Sequence, residues 1–213
     1  MKVLLIDTCS EVGSVALSDG ELMAAGKTLA LRSSSSALLP AIARLLEEQG
    51  WKLAELDGAG IVSGPGSFTG VRVGLAAAKG LCEAAGLPLV AVSRLEVLAN
   101  AAALQDGYAV LDAGRGEVFV RAVATGKEML CGLDEARALV AGSRVVVAEE
   151  KILEAFAGTQ VKIIAMRAEL ALPIVLRELR AGAVDAALVD ANYVRGERDI
   201  YGKSRAGITG ESI

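Results

Sequence analysis

Gly60–Leu81 reads GIVSGPGSFTGVRVGLAAAKGL. A short apolar run ends near Ser63. Glycines then fall at 64, 66 and 70, among Pro65, Ser67, Phe68 and Thr69, and an Ala-rich stretch opens at Val71. The pattern predicts a strand, a tight turn and a helix closed by Gly86. Glycine supplies backbone angles that other residues avoid, and the free amides of a helix start favour an anion. A phosphate cradle is therefore one reading. The helix start, however, is Gly70-Val71-Arg72, without the Gly-Lys-Ser/Thr of a Walker loop, and no GxGxxG with an acid about 20 residues on is present. The other reading is a structural turn with Ser67 or Thr69 as helix cap.

Upstream of this stretch, LRSSSSALLPAIARLLEEQG predicts a helix. Ser33–Ser36 offer caps, and Leu38, Leu39, Ile42, Leu45 and Leu46 recur at helical spacing. Pro40 is placed in the first turn, where proline is tolerated, and Gly50 marks the stop. Earlier still, KVLLIDT is a buried-strand pattern. Two further strand-like runs flank Asp19-Gly20, a strong hairpin signal. Downstream, LPLVAVS is a strand, followed by a helix from Arg94 to about Leu104.

The first hundred residues thus read β-β-β-α-β-α-β-α, and near Asp106-Gly107 the pattern starts again. GYAVLDAGRGEVFVRAVATGKEML predicts two or three strands, with turns at Gly114–Gly116 and Gly126. LDEARALVAG is a helix, RVVVAEE a strand, KILEAFAG a short helix, VKIIAM a strand, and AELALPIVLRELRAG the last long helix. The tail after Asp185 is increasingly polar and Gly-rich, and its last ten residues are expected to be loose. Asp7 and Asp112 each end a strand and open a hairpin. We read two similar units, residues 1–105 and 106–213; a single α/β domain is the alternative.

Composition narrows the function. Apolar residues make up 53% of the chain and aromatics 3%, so the core must be aliphatic. No apolar run approaches the ~20 residues of a membrane span, and the N-terminus reads as a strand, not a leader, making the cytoplasm the default. A formal net charge of −4 argues against direct nucleic-acid binding. The chain has no histidine, which removes Ser-His-Asp and Cys-His catalysis and His-ligated zinc. Cys9, Cys82 and Cys131 lack CxxC spacing and read as buried thiols. Ser67, as a nucleophile, would have only the poorly placed Lys79 for a base.

GPGSFTGVRVGLAAAKGL resembles the signature of the TsaB (YeaZ) family, formerly described as glycoprotease-like. LLIDTCSEVGSVAL, SSSSALLPAI, LDAGRGEVFV and ANYVR are similar to other family segments, although the family's usual His-Ser near the first helix is Ser-Ser here, at Ser33. The resemblance implies the two-lobed α/β fold of actin, sugar kinases and Hsp70, with a mixed sheet in each lobe. It also implies a role. TsaB is a non-catalytic partner of TsaD. With the ATPase TsaE, they transfer threonylcarbamoyl from threonylcarbamoyl-AMP to N6 of adenosine 37 in tRNAs that read ANN codons. Expected partners are a TsaD-family protein, a TsaE-family ATPase through the complex, tRNA only through the complex, and a second copy of the chain when the partner is absent.

The same resemblance places the partner interface on two helices, at Leu38, Leu39, Ile42, Leu45, Arg72, Val73, Ala76, Lys79 and Gly80. Two apolar stripes on the first and small residues on the second suit helix–helix contact. The signature loop is Gly64, Pro65, Gly66, Ser67, Phe68, Thr69 and Gly70. Asp7, Asp112 and Gly114 mark a vestigial nucleotide site. The first turn lacks Asp-x-Gly-Thr and the second half lacks a Gly-Gly pair, so no cofactor and no catalytic or metal residues are expected. The alternatives are an ATP-dependent small-molecule kinase of the same superfamily and a diverged peptidase-like paralogue.

Overall fold

A computed structural model describes residues 1–10, 12–30, 34–182, 189–192 and 194. Ser33, Tyr193, Arg195 and the tail expected to be loose lie outside the described residues.

The chain opens with β1 (Lys2–Asp7), β2 (Ser14–Asp19) and β3 (Leu22–Thr28), paired antiparallel in that order. Gly20 supplies the left-handed turn of the β2–β3 hairpin at φ +61°. Helix α1 (Ser34–Glu48), β4 (Gly58–Val62), α2 (Phe68–Ala85) and β5 (Leu89–Val92) follow, and β4 and β5 add in parallel. The first sheet therefore runs β3-β2-β1-β4-β5. After α3 (Arg94–Ala101) come β6 (Tyr108–Gly114), β7 (Glu117–Ala122), β8 (Glu128–Gly132), α4 (Leu133–Val140), β9 (Arg144–Val147) and β10 (Gln160–Ile163). Their sheet runs β8-β7-β6-β9-β10, with the same antiparallel and parallel pairings as the first. The repeat legible in the sequence is thus a repeat of sheet topology.

β1 shows why its apolar run is continuous. Side chains alternate across a strand, and both faces of the first sheet are covered. Leu4 and Ile6 meet α1 and α2; Val3 and Leu5 meet Ile174, Val175 and Leu176 of α5 (Leu172–Ala181). The second sheet is covered by α4 on one face and α3 on the other. α3 follows the first sheet yet packs on the second, and α5 follows the second yet packs on the first. Each thus links the two sheets.

Three local expectations change. α1 begins at Ser34, so Pro40 sits in its second turn and removes one backbone donor there. KILEAFAG folds as two 3-10 turns, Glu150–Ile152 and Glu154–Phe156, too short to close α-helical bonds. α3 stops at Ala101, before the left-handed Ala103.

Candidate functional site

The glycine loop is a packed joint. Ser67 caps α2, its Oγ accepting from Gly70 N at 3.2 Å. The end of β1 presses against this turn. Ser67 N donates to Cys9 O at 2.8 Å, Thr8 Oγ1 donates to Gly70 O at 2.7 Å, and Cys9 Sγ donates to Val62 O at 3.0 Å. A Cβ at Gly66 would lie 2.4 Å from Cys9 O, one at Gly70 2.0 Å from Thr8 O, and one at Gly74 2.1 Å from Thr8 Oγ1. The glycines at intervals of four therefore form a groove for the chain's own Thr8-Cys9 segment. Gly64, at φ +107°, makes the turn, with Pro65 buried beside it. Of the two readings of this stretch, the structural turn is the one the geometry fits.

In front of the joint lies a cleft of about 1120 Å³ between the two sheets. Ser10, Ser67, Phe68, Arg94, Asp112 and Lys151 are among its walls. Asp112 and Gly114 are together here: Gly114 N donates to Asp112 Oδ2 at 3.1 Å. Asp7 is not with them. It is 2% exposed, outside the cleft lining, and its Oδ1 accepts from Cys9 N at 2.9 Å. The strand-end aspartates occupy equivalent positions in sequence, but the closed Thr8-Cys9 joint turns the first one inward. Asp112 pairs with Lys151 at 2.5 Å. Arg94, 5% exposed, donates through Nη2 to Ser10 Oγ at 2.7 Å and to Glu149 Oε1 at 3.1 Å, and Glu149 Oε2 accepts from Asp112 N at 3.1 Å. The sequence reading missed Arg94, Glu149 and Lys151. One signal existed: arginine at the first position of α3, beside the positive end of a helix dipole, is electrostatically misplaced without a carboxylate nearby.

Cys9 lines the cleft, but burial pushes its thiol well above the usual range, and the Asp7 charge adds to this. Burial alone pushes the Cys82 thiol up to about 11, and burial together with the Glu135 charge pushes that of Cys131 upward. The thiolate is the nucleophile, so these groups are inert near neutrality. At pH 8 a disulfide-exchange reagent is expected to label none of the three faster than the protein unfolds, and all of them at once in urea. Rapid labelling of Cys9 in the folded protein would contradict this. The linkage has one sign. Folded thiols keep protons that unfolded ones release, so their contribution to stability is complete below about pH 8.5. It is lost as pH rises toward the folded values. Among the described residues no group of three His, Cys, Asp or Glu could hold a metal ion. No described helix is long and apolar enough to cross a membrane.

α1 and α2 lie side by side on one face of the first sheet. Leu38, Ile42 and Leu45, expected on the docking face, are 1–2% exposed and point into the core. Their stripe is the one that buries α1 against β2 and β3. The second stripe does reach the surface at Leu39 (53% exposed) and Ala43, and returns to the core at Leu46. On α2, Arg72, Ala76 and Gly80 are exposed, Val73 and Lys79 are half-buried, and Gly74 and Ala78 face inward. A Cβ at Gly80 would meet nothing within 4 Å. At the start of the helix, exposed Phe68 stacks under the Arg72 guanidinium, 3.7 Å from the ring centre, and Thr69 is exposed beside it. The outer face is thus small and apolar at Leu39, Ala43, Ala76 and Gly80, with Arg72 and Lys79 flanking Ala76 on α2.

Comparison with known proteins follows the same lines. The family model described as TsaD: tRNA N6-adenosine threonylcarbamoyltransferase matches residues 28–173, more than half the chain. The chain belongs to this family. Its similarities place it with the TsaB (YeaZ) members. It is 37% identical over 123 residues to the Escherichia coli tRNA threonylcarbamoyladenosine biosynthesis protein TsaB, covering 56% of this chain and 53% of that protein. The chain spans about half the length of the curated TsaB relatives it matches. A solved Pseudomonas aeruginosa protein, described as similar to the peptidase YeaZ, superposes with a TM-score of 0.74 at 26% identity. It covers 91% of this chain and 99% of its own. The fold extends further. The activator of 2-hydroxyisocaproyl-CoA dehydratase from Clostridium difficile, solved with ADPNP, gives a TM-score of 0.54 at 10% identity over 85% of this chain and 96% of its own. The TsaB-family chain therefore has the two-lobed fold of the actin, sugar kinase and Hsp70 superfamily.

Proposed function

We propose that this chain is a non-catalytic partner subunit of a TsaD-type enzyme in tRNA threonylcarbamoyladenosine formation. The observation that carries the reading is the outer face of α1 and α2. Leu39, Ala43, Ala76 and Gly80 offer small and apolar groups, and a side chain at Gly80 would meet no obstacle. Exposed apolar patches on helices mark contact surfaces. Small residues let two helix pairs approach closely, within the usual interaxial range of about 8–10 Å.

The TsaB similarity supports the pathway. An Erythrobacter litoralis tRNA N6-adenosine threonylcarbamoyltransferase is also 34% identical over 116 residues of this chain, so enzyme and partner share this region. Related subunits present related helix pairs. The proposed contact is thus pseudo-twofold, and a second copy of the chain takes the partner's place when it is absent. A TsaE-type ATPase joins through the complex, and tRNA is reached through the TsaD-type subunit. In this scheme the transfer of threonylcarbamoyl to N6 of adenosine 37 uses no side chain of this subunit. It holds the enzyme in its active arrangement. The cleft around Asp112 and Gly114 is a vestige of the superfamily nucleotide site, with Lys151 on the Asp112 carboxylate.

The direct test is reconstitution with the TsaD-type and TsaE-type proteins of the same organism, threonylcarbamoyl-AMP and tRNA. Modified adenosine is expected to form at least tenfold faster with this chain than without it. Equal rates in its absence would overturn the proposal.

A further inference from the structure

Ser93 and Arg94, at the joint between β5 and α3, touch more of the molecule than any cap requires. Ser93 Oγ caps α3 and also donates to Glu128 of β8. Glu128 in turn takes Arg121 Nη1 and Asn192 Nδ2, both at 2.8 Å. Arg94 reaches Glu149 beyond β9 and Ser10 in the β1–β2 turn. Two adjacent residues are thus held by two glutamates, one on β8 and one just beyond β9.

The same residues hold the signature loop. Arg94 N donates to Gly64 O at 2.7 Å, and Asn192 N donates to Ser63 O at 2.9 Å. Ser10 directly follows Thr8-Cys9, the segment clasped by the start of α2. Glu149 and Glu128 therefore lie two hydrogen bonds from the turn that launches α2, although neither belongs to that helix. The Arg94–Glu149 pair has side-chain exposures of 6% and 24%, and Arg94 Nε is buried with no partner among the described residues. An apolar side chain there would avoid the desolvation of a buried charge. Such groups do serve to fix one arrangement among several.

We propose that the Ser93–Arg94 clamp fixes how the second sheet sits against the signature loop and so sets the orientation of α2 for docking. Glu149 and Glu128 are positioning residues: they act through Arg94, Ser93 and the loop, and touch no partner. The docking half rests on the reading of α1 and α2 as the partner surface; the ordering half does not.

The experiment is hydrogen exchange on the free protein, comparing wild type with Glu149→Gln and Arg94→Met. In both variants peptides covering 64–72 are expected to exchange at least tenfold faster, while those covering α4 (133–140) keep wild-type rates. If Arg94→Met fails to fold, Glu149→Gln, at a quarter-exposed position, still decides. Unchanged exchange at 64–72, or an equal rise in α4, overturns the clamp. Titration with the TsaD-type partner then reads the docking half: Glu149→Gln is expected to bind at least fivefold more weakly. Faster exchange with wild-type affinity overturns the coupling to docking and leaves the surface itself to be judged by substitution at Ala76.

Discussion

Gly70→Val destabilises the fold by about 3 kcal/mol, and Gly74→Val by about as much, if the glycine loop is a packed joint. The first Cβ would lie 2.0 Å from the backbone oxygen of Thr8 and the second 2.1 Å from Thr8 Oγ1. At Gly70 the obstacle is a carbonyl oxygen, which cannot rotate away as a side-chain tip can, so either the end of β1 or the whole of α2 must move; at Gly74 the buried Thr8 side chain must turn and give up its bond to Gly70 O. The Gly70 carbonyl would also lose its bond from Thr8 Oγ1. Gly80→Ala is the control. Nothing lies within 4 Å of its Cβ, and alanine is the better helix former by about 1 kcal/mol, so this variant gains stability. Urea unfolding of the three variants decides. A phosphate cradle predicts the opposite pattern, loss of an anion with an intact fold. A wild-type midpoint for Gly70→Val would sink the joint.

Ala76→Glu is expected to weaken binding of the TsaD-type partner at least a hundredfold, about 3 kcal/mol. In the free protein the new carboxylate sits at an exposed position, four residues after Arg72 and three before Lys79, and helical pairs of that kind are mildly favourable. The melting temperature therefore stays within a few degrees of wild type. In the complex the same group would be desolvated against a close-packed helix, a cost that has no compensation unless a cation meets it. Titration calorimetry reads the loss. Leu38→Glu provides the contrast. Leu38 is a core residue, so its replacement disrupts the core over the first sheet, and lost binding there would say nothing about a surface.

The residues carried the architecture further than the site. β1, β2, β4, β5, β6 and β9 were legible because their apolar runs are buried on both faces. The repeat of the sheet order was legible because Asp19-Gly20 and Gly126 punctuate equivalent hairpins, β2–β3 and β7–β8. On α1 both stripes were visible, but periodicity gives faces without saying which one the sheet will cover. Leu38, Ile42 and Leu45 won because that stripe packs into the core over β2 and β3. Asp7 and Asp112 looked equivalent in sequence; only the long-range clasp of Thr8 and Cys9 by α2 distinguishes them. Glu149 and Glu128 were illegible for the same reason, and Arg94 was legible only as a misplaced charge at the start of α3. The Ser93–Glu128, Arg94–Glu149 and Arg94–Ser10 contacts span 35 to 84 residues, and no local pattern encodes a contact of that range.

The central claim is that this chain works by docking through α1 and α2. Size-exclusion chromatography with light scattering tests it most directly, with the chain mixed with the TsaD-type protein of its own organism. The account predicts a one-to-one complex for the wild type and two separate peaks for Ala76→Glu. Separate wild-type peaks, with ATP and the TsaE-type protein also present, or a complex that Ala76→Glu leaves intact, would contradict it.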